Sequence, residues 1–467
     1  MKLHIFPFLL IIALVHAEGP DFVLELFRHG ARSAGKTKYF QNWDDLGVSE
    51  LTSVGMRQQY ILGKALRQKY PDLLFLYNPN KLYVFATGKE RTIMSAAAQL
   101  QGIYEGTGPE IPSDISNDLT LPLFNNSIID QINLKVNVTN AAVGGFQPIP
   151  IHSTEPQFDY LLQSYLRCPN LDRYYQKHLN DDKVKKMFGE MKEVVEFYKT
   201  KGITLATVKD IKDLADAAIA AKFYGKELPG GISTDSQTFK DLEFVYNWYE
   251  TYPVFVETIQ KQTFAAPMFS DLIDYLDGIR DGSSKTRVVL WSGHETALFT
   301  LLNSFNLTNS DCLEANWRAQ RNNKDIQYPK CIYPGYSANL IFEFYNKTAD
   351  PYVVFRYSDR EISICGENKN CTLEEFRTLI NKATGNNKLK GYYKICGVPE
   401  AAQLGNLNTI PNEKMYPKEL VFAMGGIIAA LLIIVAVLLA KRYQTSRQSV
   451  AKAGKSLLRD SAVEEEL

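Results

Sequence analysis

The apolar and polar positions of the chain form strand-length apolar runs that alternate with amphipathic helical segments. Apolar runs at 21–27, 81–86 and 286–291 have the length of buried strands. Between the first two runs, residues 52–70 carry an apolar face at helical spacing, with Thr52 as the N-cap. Strands that alternate with helices predict an α/β fold, with a mostly parallel sheet and helices on both faces.

A charged cluster follows each of the three strand-length runs. Ligands of such sheets bind beyond the carboxyl ends of the strands, so clusters that follow different strands meet in one place. The sequence therefore predicts one site that gathers three arginines, two histidines and one carboxylic acid. These are Arg28, His29, Arg32, Arg91, His294 and Glu295.

This combination of side chains suits chemistry on a phosphate group. Planar guanidinium groups bind phosphate oxygens in pairs, and cationic neighbours keep an imidazole neutral. A neutral imidazole can attack phosphorus, and a carboxylic acid can protonate the leaving oxygen, without a cofactor or metal. Each cluster alone also fits a structural role: the arginines could pair with surface carboxylates, and Glu295 could complement a helix dipole.

The middle of the chain reads as a helical insertion. Residues 181–200, 205–223 and 236–262 have helical patterns. We therefore expect an α/β catalytic domain in two pieces, an insertion between them, and aromatic residues of the insertion that serve packing. The expected domain pieces are 18–105 and 263–400, the insertion is 106–262, and the aromatic residues are Tyr246, Trp248 and Tyr249.

The two ends of the chain predict a type I membrane protein. Residues 1–17 have a basic start, an apolar stretch and a small-residue cleavage site, as a secretory signal peptide does. Residues 420–440 carry no charge and would reach about 31 Å as a helix, enough for one transmembrane helix. Residues 401–419 would form a stalk, and the basic start of 441–467 predicts a cytoplasmic tail.

Cysteines and glycosylation motifs agree with a lumenal or extracellular location for residues 18–419. All six cysteines lie in that segment, and the absence of a C-x-x-C pair favours disulfides over zinc. Cys365 and Cys371 are the nearest pair, whereas the other connectivities stay open at this point. Five sequons lie in the same segment, at Asn125, Asn137, Asn306, Asn346 and Asn370.

The charge balance excludes one class of partner. The 467 residues contain 52 basic and 52 acidic side chains, so the net charge is zero. A nucleic-acid-binding protein would show a basic excess or stripe, which this chain lacks. The expected partners are a phosphomonoester substrate and a membrane.

Several ordered motifs resemble those of the histidine acid phosphatases, which form branch 2 of the histidine phosphatases. They are RHGxR at 28–32, LTxxGxxQ at 51–58, ERTxMSA at 90–96 and the late pair His294-Glu295. The resemblance extends from about Phe22 to Cys396. The signal, single span and short tail resemble the layout of the lysosomal branch of this family. The prostatic branch of the family is also similar to this chain.

The resemblance implies a phosphoglycerate-mutase-like α/β domain with a helical insertion, and an acid phosphatase that uses no cofactor. His29 matches the nucleophile that forms a phosphohistidine, and Glu295 falls at the position of the proton donor. The phosphate-binding positions of the family match Arg28, Arg32, Arg91 and His294. The family's disulfides imply the pairs Cys168–Cys396 and Cys365–Cys371, which leaves Cys312–Cys331. Family members often form homodimers, so a second copy of the chain is a further expected partner.

Two positions depart from the family pattern. Ala34 stands where the family usually has proline, and Glu295 stands where it usually has aspartate.

We expect hydrolysis of a broad range of phosphomonoesters, with an inositol-phosphate or lysophospholipid phosphatase as narrower alternatives. The alternative from another class is an inactive ectodomain that serves as a receptor or adhesion module. Lysosome, another acidic vacuole and cell surface all stay open as locations.

Overall fold

The computed structural model describes residues 19–39, 47–120 and 139–399. Within these ranges, no helix is both long enough and apolar enough to cross a membrane. Several predicted features lie outside the described residues: the signal peptide (1–17), the stalk (401–419), the span (420–440), the tail (441–467), and the sequons at Asn125 and Asn137.

The described residues contain one sheet of eight strands. The strands are β1 (Phe22–Arg28), β2 (Leu82–Ala86), β3 (His152–Ser153), β4 (Val288–Gly293), β5 (Asn339–Tyr345), β6 (Tyr352–Tyr357), β7 (Arg360–Glu361) and β8 (Asn370–Thr372). Their order across the sheet is β3-β2-β4-β1-β5-β6-β7, and β8 pairs with β6.

Thirteen α-helices surround this sheet in the same ranges. They are α1 (Ser53–Lys69), α2 (Pro71–Leu74), α3 (Glu90–Ile103), α4 (Pro169–Leu179), α5 (Asp182–Glu190), α6 (Lys192–Thr200), α7 (Val208–Tyr224), α8 (Gln237–Thr251), α9 (Thr258–Arg280), α10 (Glu295–Ser304), α11 (Ser310–Arg321), α12 (Leu373–Thr384) and α13 (Leu389–Cys396). Short 3₁₀ helices lie at Thr37–Tyr39, Asn117–Thr120, Val143–Gly145, Pro156–Phe158, Ser164–Arg167 and Pro229–Gly231.

The sheet is mixed, which corrects the prediction of a mostly parallel sheet. β3, β2, β4 and β1 pair in parallel, whereas β1–β5, β5–β6, β6–β7 and β6–β8 are antiparallel. The reason lies in the connections. Only residues 346–351 join β5 to β6, and so short a connection cannot cross over to a parallel neighbour. The parallel half, which carries the predicted charged clusters, agrees with the sequence-based fold class.

Both faces of the sheet are covered by helices. Successive side chains of a strand point to opposite faces. Val23 and Phe27 of β1 pack in a cluster with residues of α1 and α3, whereas Leu24 and Leu26 pack with residues of α9 and α10. All seven residues of β1 are buried. The central strand is therefore held rigidly from both sides, and the site begins at its last residue.

The middle of the chain is helical in the structure, with breaks that the periodicity did not predict. The expected helix over 236–262 is two helices, α8 and α9, because Pro253 follows α8 and a capping box at Glu257 starts α9. α9 continues to Arg280 and packs under the sheet. β3, at 152–153, adds a short parallel strand to the edge of the sheet beside β2.

Three disulfides join Cys168 to Cys396, Cys312 to Cys331, and Cys365 to Cys371, so every cysteine is paired. The first of them ties the end of α13 to the start of α4. A domain with three disulfides is typical of an oxidising compartment. Of the sequons in the described ranges, Asn306 and Asn370 are exposed, and Asn346 is half-buried.

Candidate active site

The first part of the site is the loop that follows β1. β1 ends at Arg28, and the backbone N–H of His29 donates to the Gly293 carbonyl at the end of β4, at 3.0 Å. Gly30 lies against Gly55 in the first turn of α1, and a Cβ atom on Gly30 would collide with the Gly55 carbonyl. Because glycine has no Cβ, α1 can close over this loop.

The other two charged clusters lie at the same edge of the sheet. α3 begins at Glu90 after β2, and α10 begins at Glu295 directly after β4. β2, β4 and β1 are neighbours in the sheet, so their carboxyl ends meet. The imidazole centres of His29 and His294 lie 5.4 Å apart, and Arg91 Nη2 lies 3.3 Å from His294 Nδ1. The structure thus places the three clusters together.

The His29 imidazole is held in one tautomer. Its Nδ1 lies 2.8 Å from the Gly30 carbonyl oxygen. A carbonyl oxygen only accepts hydrogen bonds, so Nδ1 carries the proton and Nε2 keeps its lone pair. Burial lowers the pKa of His29 well below its usual value, and the charges of Arg91 and Arg28 lower this pKa further. The ring is therefore neutral, with Nε2 free to act as a nucleophile.

The second histidine has the opposite tautomer. Arg91 can only donate, so His294 Nδ1 accepts its hydrogen bond, and Nε2–H donates to Thr87 Oγ1 at 3.0 Å. Burial, followed by the charge of Arg91, lowers the pKa of His294 to about 3. Two neutral histidines therefore face each other among cationic side chains, before any anion binds.

The Glu295 carboxylate lies close to the His29 ring. Its Oε2 lies 4.0 Å from His29 Nε2 and 3.1 Å from Arg28 Nε, and the Tyr246 hydroxyl donates to its Oε1 at 2.6 Å. Burial alone raises the pKa of the Glu295 carboxyl. The charges of Arg28 and Arg32, together with the hydrogen bond from Tyr246 and the other groups around the carboxyl, outweigh burial, so this pKa lies well below its usual value. The Glu295 side chain is one methylene longer than aspartate, and its carboxylate contacts Arg28 and Tyr246 and lies near His29.

The second arginine of the RHGAR loop, Arg32, is bound by a carboxylate of the helical region. Arg32 Nη2 lies 2.6 Å from Asp216 Oδ1, and Arg32 Nη1 lies 3.2 Å from Oδ2. The Gly35 backbone N–H also donates to Oδ2, at 2.8 Å. Burial raises the pKa of Asp216, but the adjacent Arg32 guanidinium brings it below the usual value, so Asp216 is charged.

Buried N–H groups of the site have no acceptor. The Nε atoms of Arg32 and Arg91 are buried and make no hydrogen bond within the described part of the chain, whereas Arg28 Nε is ion-paired with Glu295 Oε2 at 3.1 Å. A buried donor without an acceptor costs free energy, and it is expected where a ligand supplies the acceptor. Two such guanidinium donors, beside a third arginine, suit the oxygens of a phosphate group. In residues 19–39, 47–120 and 139–399, no group of three or more His, Cys, Asp or Glu side chains is arranged to hold a metal ion.

Sequence reasoning missed several residues that contact this site. Tyr246 was expected to serve packing, but its hydroxyl contacts Glu295 and accepts from Arg28 Nη2 at 3.2 Å. The Arg28 guanidinium carbon also lies 4.4 Å from the centre of the Tyr336 ring. Trp248, in contrast, is fully buried in the packing of the helical region. No sequence motif marks Tyr246 or Tyr336, because each reaches the site only through the packing of distant segments.

Comparisons with known proteins find similar sequences over most of the chain. Lysosomal acid phosphatase of Xenopus laevis is 25% identical over 385 residues, which cover 77% of this chain and 75% of that protein. Prostatic acid phosphatase of Bos taurus is 21% identical over 384 residues, 78% of this chain and 86% of that protein.

Solved structures show the same fold. The apo form of Hafnia alvei phytase matches with a TM-score of 0.53 at 14% identity, over 82% of this chain and 98% of that chain. The family model described as histidine phosphatase superfamily (branch 2) matches residues 21–358, which include all six residues of the site. This match spans well over half of the sequence, and we conclude that the chain belongs to branch 2 of the histidine phosphatase superfamily.

Proposed function

We propose that this protein is an acid phosphatase that hydrolyses phosphomonoesters through a phosphohistidine on His29. One observation carries the proposal: His29 Nε2 keeps its lone pair and lies 4.0 Å from the Glu295 carboxylate, in a site where the buried Nε donors of Arg32 and Arg91 have no acceptor. Membership of the family supports it. The substrate we propose is a phosphomonoester of broad type, since the described side chains of the site would contact the phosphate group that all such esters share.

Substrate binding and protonation of Glu295 favour each other in this site. Arg28 is paired with the Glu295 carboxylate in the structure. A phosphate group that binds Arg28 adds negative charge beside Glu295, and this charge raises the pKa of the carboxyl. Conversely, protonation of Glu295 frees Arg28 for phosphate. Acid conditions therefore favour the complex in which phosphate is bound and Glu295 is protonated.

The first step forms a bond from His29 to phosphorus. The Nε2 lone pair attacks, the P–O bond of the ester breaks, and the leaving oxygen takes the proton of Glu295. Arg28, Arg32 and Arg91 offset the charge on the phosphoryl oxygens. In the second step the Glu295 carboxylate accepts a proton from water. The water oxygen attacks phosphorus, the P–N bond breaks, and Nε2 regains its lone pair.

The test is phosphate release from p-nitrophenyl phosphate by the full chain between pH 3 and pH 8. We expect activity with an acid optimum in the wild type, and no activity in His29→Ala. A folded wild type without activity would instead favour the inactive ectodomain. An active His29→Ala variant would refute the phosphohistidine mechanism while leaving hydrolysis intact.

We propose further that the catalytic region faces the lumen of an acidic compartment or the cell exterior, anchored by one membrane span. The three disulfides support an oxidising environment, and the relatives named above include lysosomal proteins. Protease protection of the full chain in sealed microsomes tests this topology. A protected fragment that carries the disulfides is expected, and complete digestion without detergent would contradict it.

A further inference from the structure

A carboxylate inside a proposed phosphate site is unexpected, because it repels the ligand. Asp216 of α7 is such a group: it occupies both terminal nitrogens of Arg32, at 2.6 and 3.2 Å. Both side chains are only 9% exposed, so water screens their charges little. Arg32 Nε remains without a partner. Arg32 therefore has a free donor for phosphate, while much of its charge is already neutralised.

Asp216 also fixes the backbone of the loop that carries Arg32. Its Oδ2 accepts from Arg32 and from the Gly35 N–H at 2.8 Å, so one carboxylate holds the chain on either side of Ala34. Ala34 is the position where the resemblance implies a proline, whose ring would restrict the backbone. Ala34 itself packs on alanines of α7, next to Asp216. The carboxylate thus supplies a restraint on this loop that alanine lacks.

The charge of Asp216 also enters the balance of the site. Arg28, Arg32 and Arg91 are positive, Glu295 and Asp216 are negative, and the two histidines are neutral. The site therefore carries a net charge of about +1 before an anion binds, by the charge states that these pKa directions give. Next to it, Lys212 and Glu250 of the same helical region pair at 2.6 Å and leave the balance unchanged. Without Asp216 the site would hold one more unit of positive charge.

We propose that Asp216 is a positioning residue of the phosphate site, which holds the Arg32 loop in place and weakens the binding of phosphate so that the product leaves. The proposal rests on the proposed function in one respect, that Arg32 binds the phosphate group. The benefit is turnover, since a site with three fully available arginines would release inorganic phosphate slowly.

The test compares wild type and Asp216→Asn as full chains. Asparagine keeps the shape and one acceptor oxygen but removes the charge. We expect the dissociation constant of inorganic phosphate at pH 5, measured by calorimetry, to fall by about tenfold or more, because one like charge is removed in a poorly screened site. KM and kcat for p-nitrophenyl phosphate should fall together, since phosphate then leaves more slowly. A merely structural role would raise KM and weaken phosphate binding.

Asp213→Asn is the matched control. Asp213 lies one turn earlier on α7, and its carboxylate binds Lys209 at 2.8 Å instead of Arg32. This control should leave the phosphate dissociation constant unchanged. Asp216→Ser removes the same charge with a smaller side chain, and it serves as the test if the asparagine variant does not fold.

Each outcome separates this inference from the proposed function. Unchanged or weaker phosphate binding in a folded Asp216 variant overturns the inference, and failure of both variants to fold does so too, since Asp216 would then serve folding. A wild type that binds inorganic phosphate but hydrolyses nothing counts against the proposed function only. Tighter binding in the folded Asp216 variant, with the control unchanged, supports the inference.

Discussion

Removal of the Tyr246 hydroxyl tests how the site sets the protonation of Glu295, the proposed proton donor. In the wild type, this hydroxyl donates to Glu295 Oε1 at 2.6 Å and accepts from Arg28 Nη2 at 3.2 Å. A donor to a carboxylate stabilises the ionised form and lowers its pKa. Tyr246→Phe keeps the ring and deletes this hydrogen bond. The pKa of Glu295 should therefore rise.

The size of the effect follows from one charge-assisted hydrogen bond in a buried place. Glu295 is 8% exposed, and Tyr246 is 3% exposed, so water does not replace the lost donor readily. Hydrogen bonds to charged groups contribute about 1.5–3 kcal/mol, and about 1.4 kcal/mol corresponds to one pKa unit. Because Glu295 must be protonated to act as the proposed proton donor, kcat/KM should fall as the pH rises through the pKa of Glu295. That fall should move to higher pH by roughly one to two pH units.

The assay is phosphate release from an alkyl phosphate such as glycerol 2-phosphate, over pH 3 to 8. An alkyl leaving group needs the proton of Glu295, whereas p-nitrophenolate leaves without one. Tyr249→Phe is the matched control, since Tyr249 lies on the same helix and its hydroxyl bonds with Tyr175 instead of Glu295.

A shift of the profile to lower pH, or no shift beyond that of Tyr249→Phe, would refute the reasoning. It would mean that Arg28 alone sets the charge of Glu295, or that another group donates the proton. Thermal unfolding of Tyr246→Phe at pH 5 checks that the variant is folded.

Two further predictions concern stability and the leaving group. Burial raises the pKa of Glu25 to about 7, against 4.5 for the ordinary carboxyl. Between pH 4.5 and pH 7 the folded state therefore binds a proton that the unfolded state has released. Stability from this group is complete below pH 4.5 and falls by about 3 kcal/mol as the pH rises to 7. Urea unfolding should show this loss in wild type relative to Glu25→Gln, and equal pH dependence of the two would contradict it. Glu295→Gln should lower kcat roughly 100-fold or more for an alkyl phosphate, and much less for p-nitrophenyl phosphate; equal losses for the two esters would count against its acid role.

The residues of the site could be predicted because they follow strands directly. Three short apolar runs end in charged clusters, and parallel strands bring those ends together whatever the rest of the chain does. The α/β interpretation and the order of the motifs were therefore enough to predict that four residues meet in one site: Arg28, His29, His294 and Glu295. The structure adds their tautomers and partners.

The features that the sequence did not predict depend on packing between distant segments. Asp216 and Tyr246 lie on α7 and α8, and their amphipathic patterns contain nothing that separates a residue over the site from a residue in the core. The antiparallel half of the sheet was also missed. Its strands follow each other through short turns, and apolar runs of strand length do not state the direction in which they pair.

The most direct test of the central claim is to find the phosphate on His29. The full-length Glu295→Gln variant is mixed with p-nitrophenyl phosphate at pH 5, denatured in alkali and digested for mass spectrometry. This ester can phosphorylate His29 without a proton from Glu295. Because the variant lacks the carboxylate that would accept a proton from water, hydrolysis of the phosphohistidine should be slow, and the intermediate should accumulate. The account predicts phosphate on the peptide that contains His29, and none in a variant that also carries His29→Ala. Steady hydrolysis by wild type, with no phosphate on His29 in either protein, would contradict it.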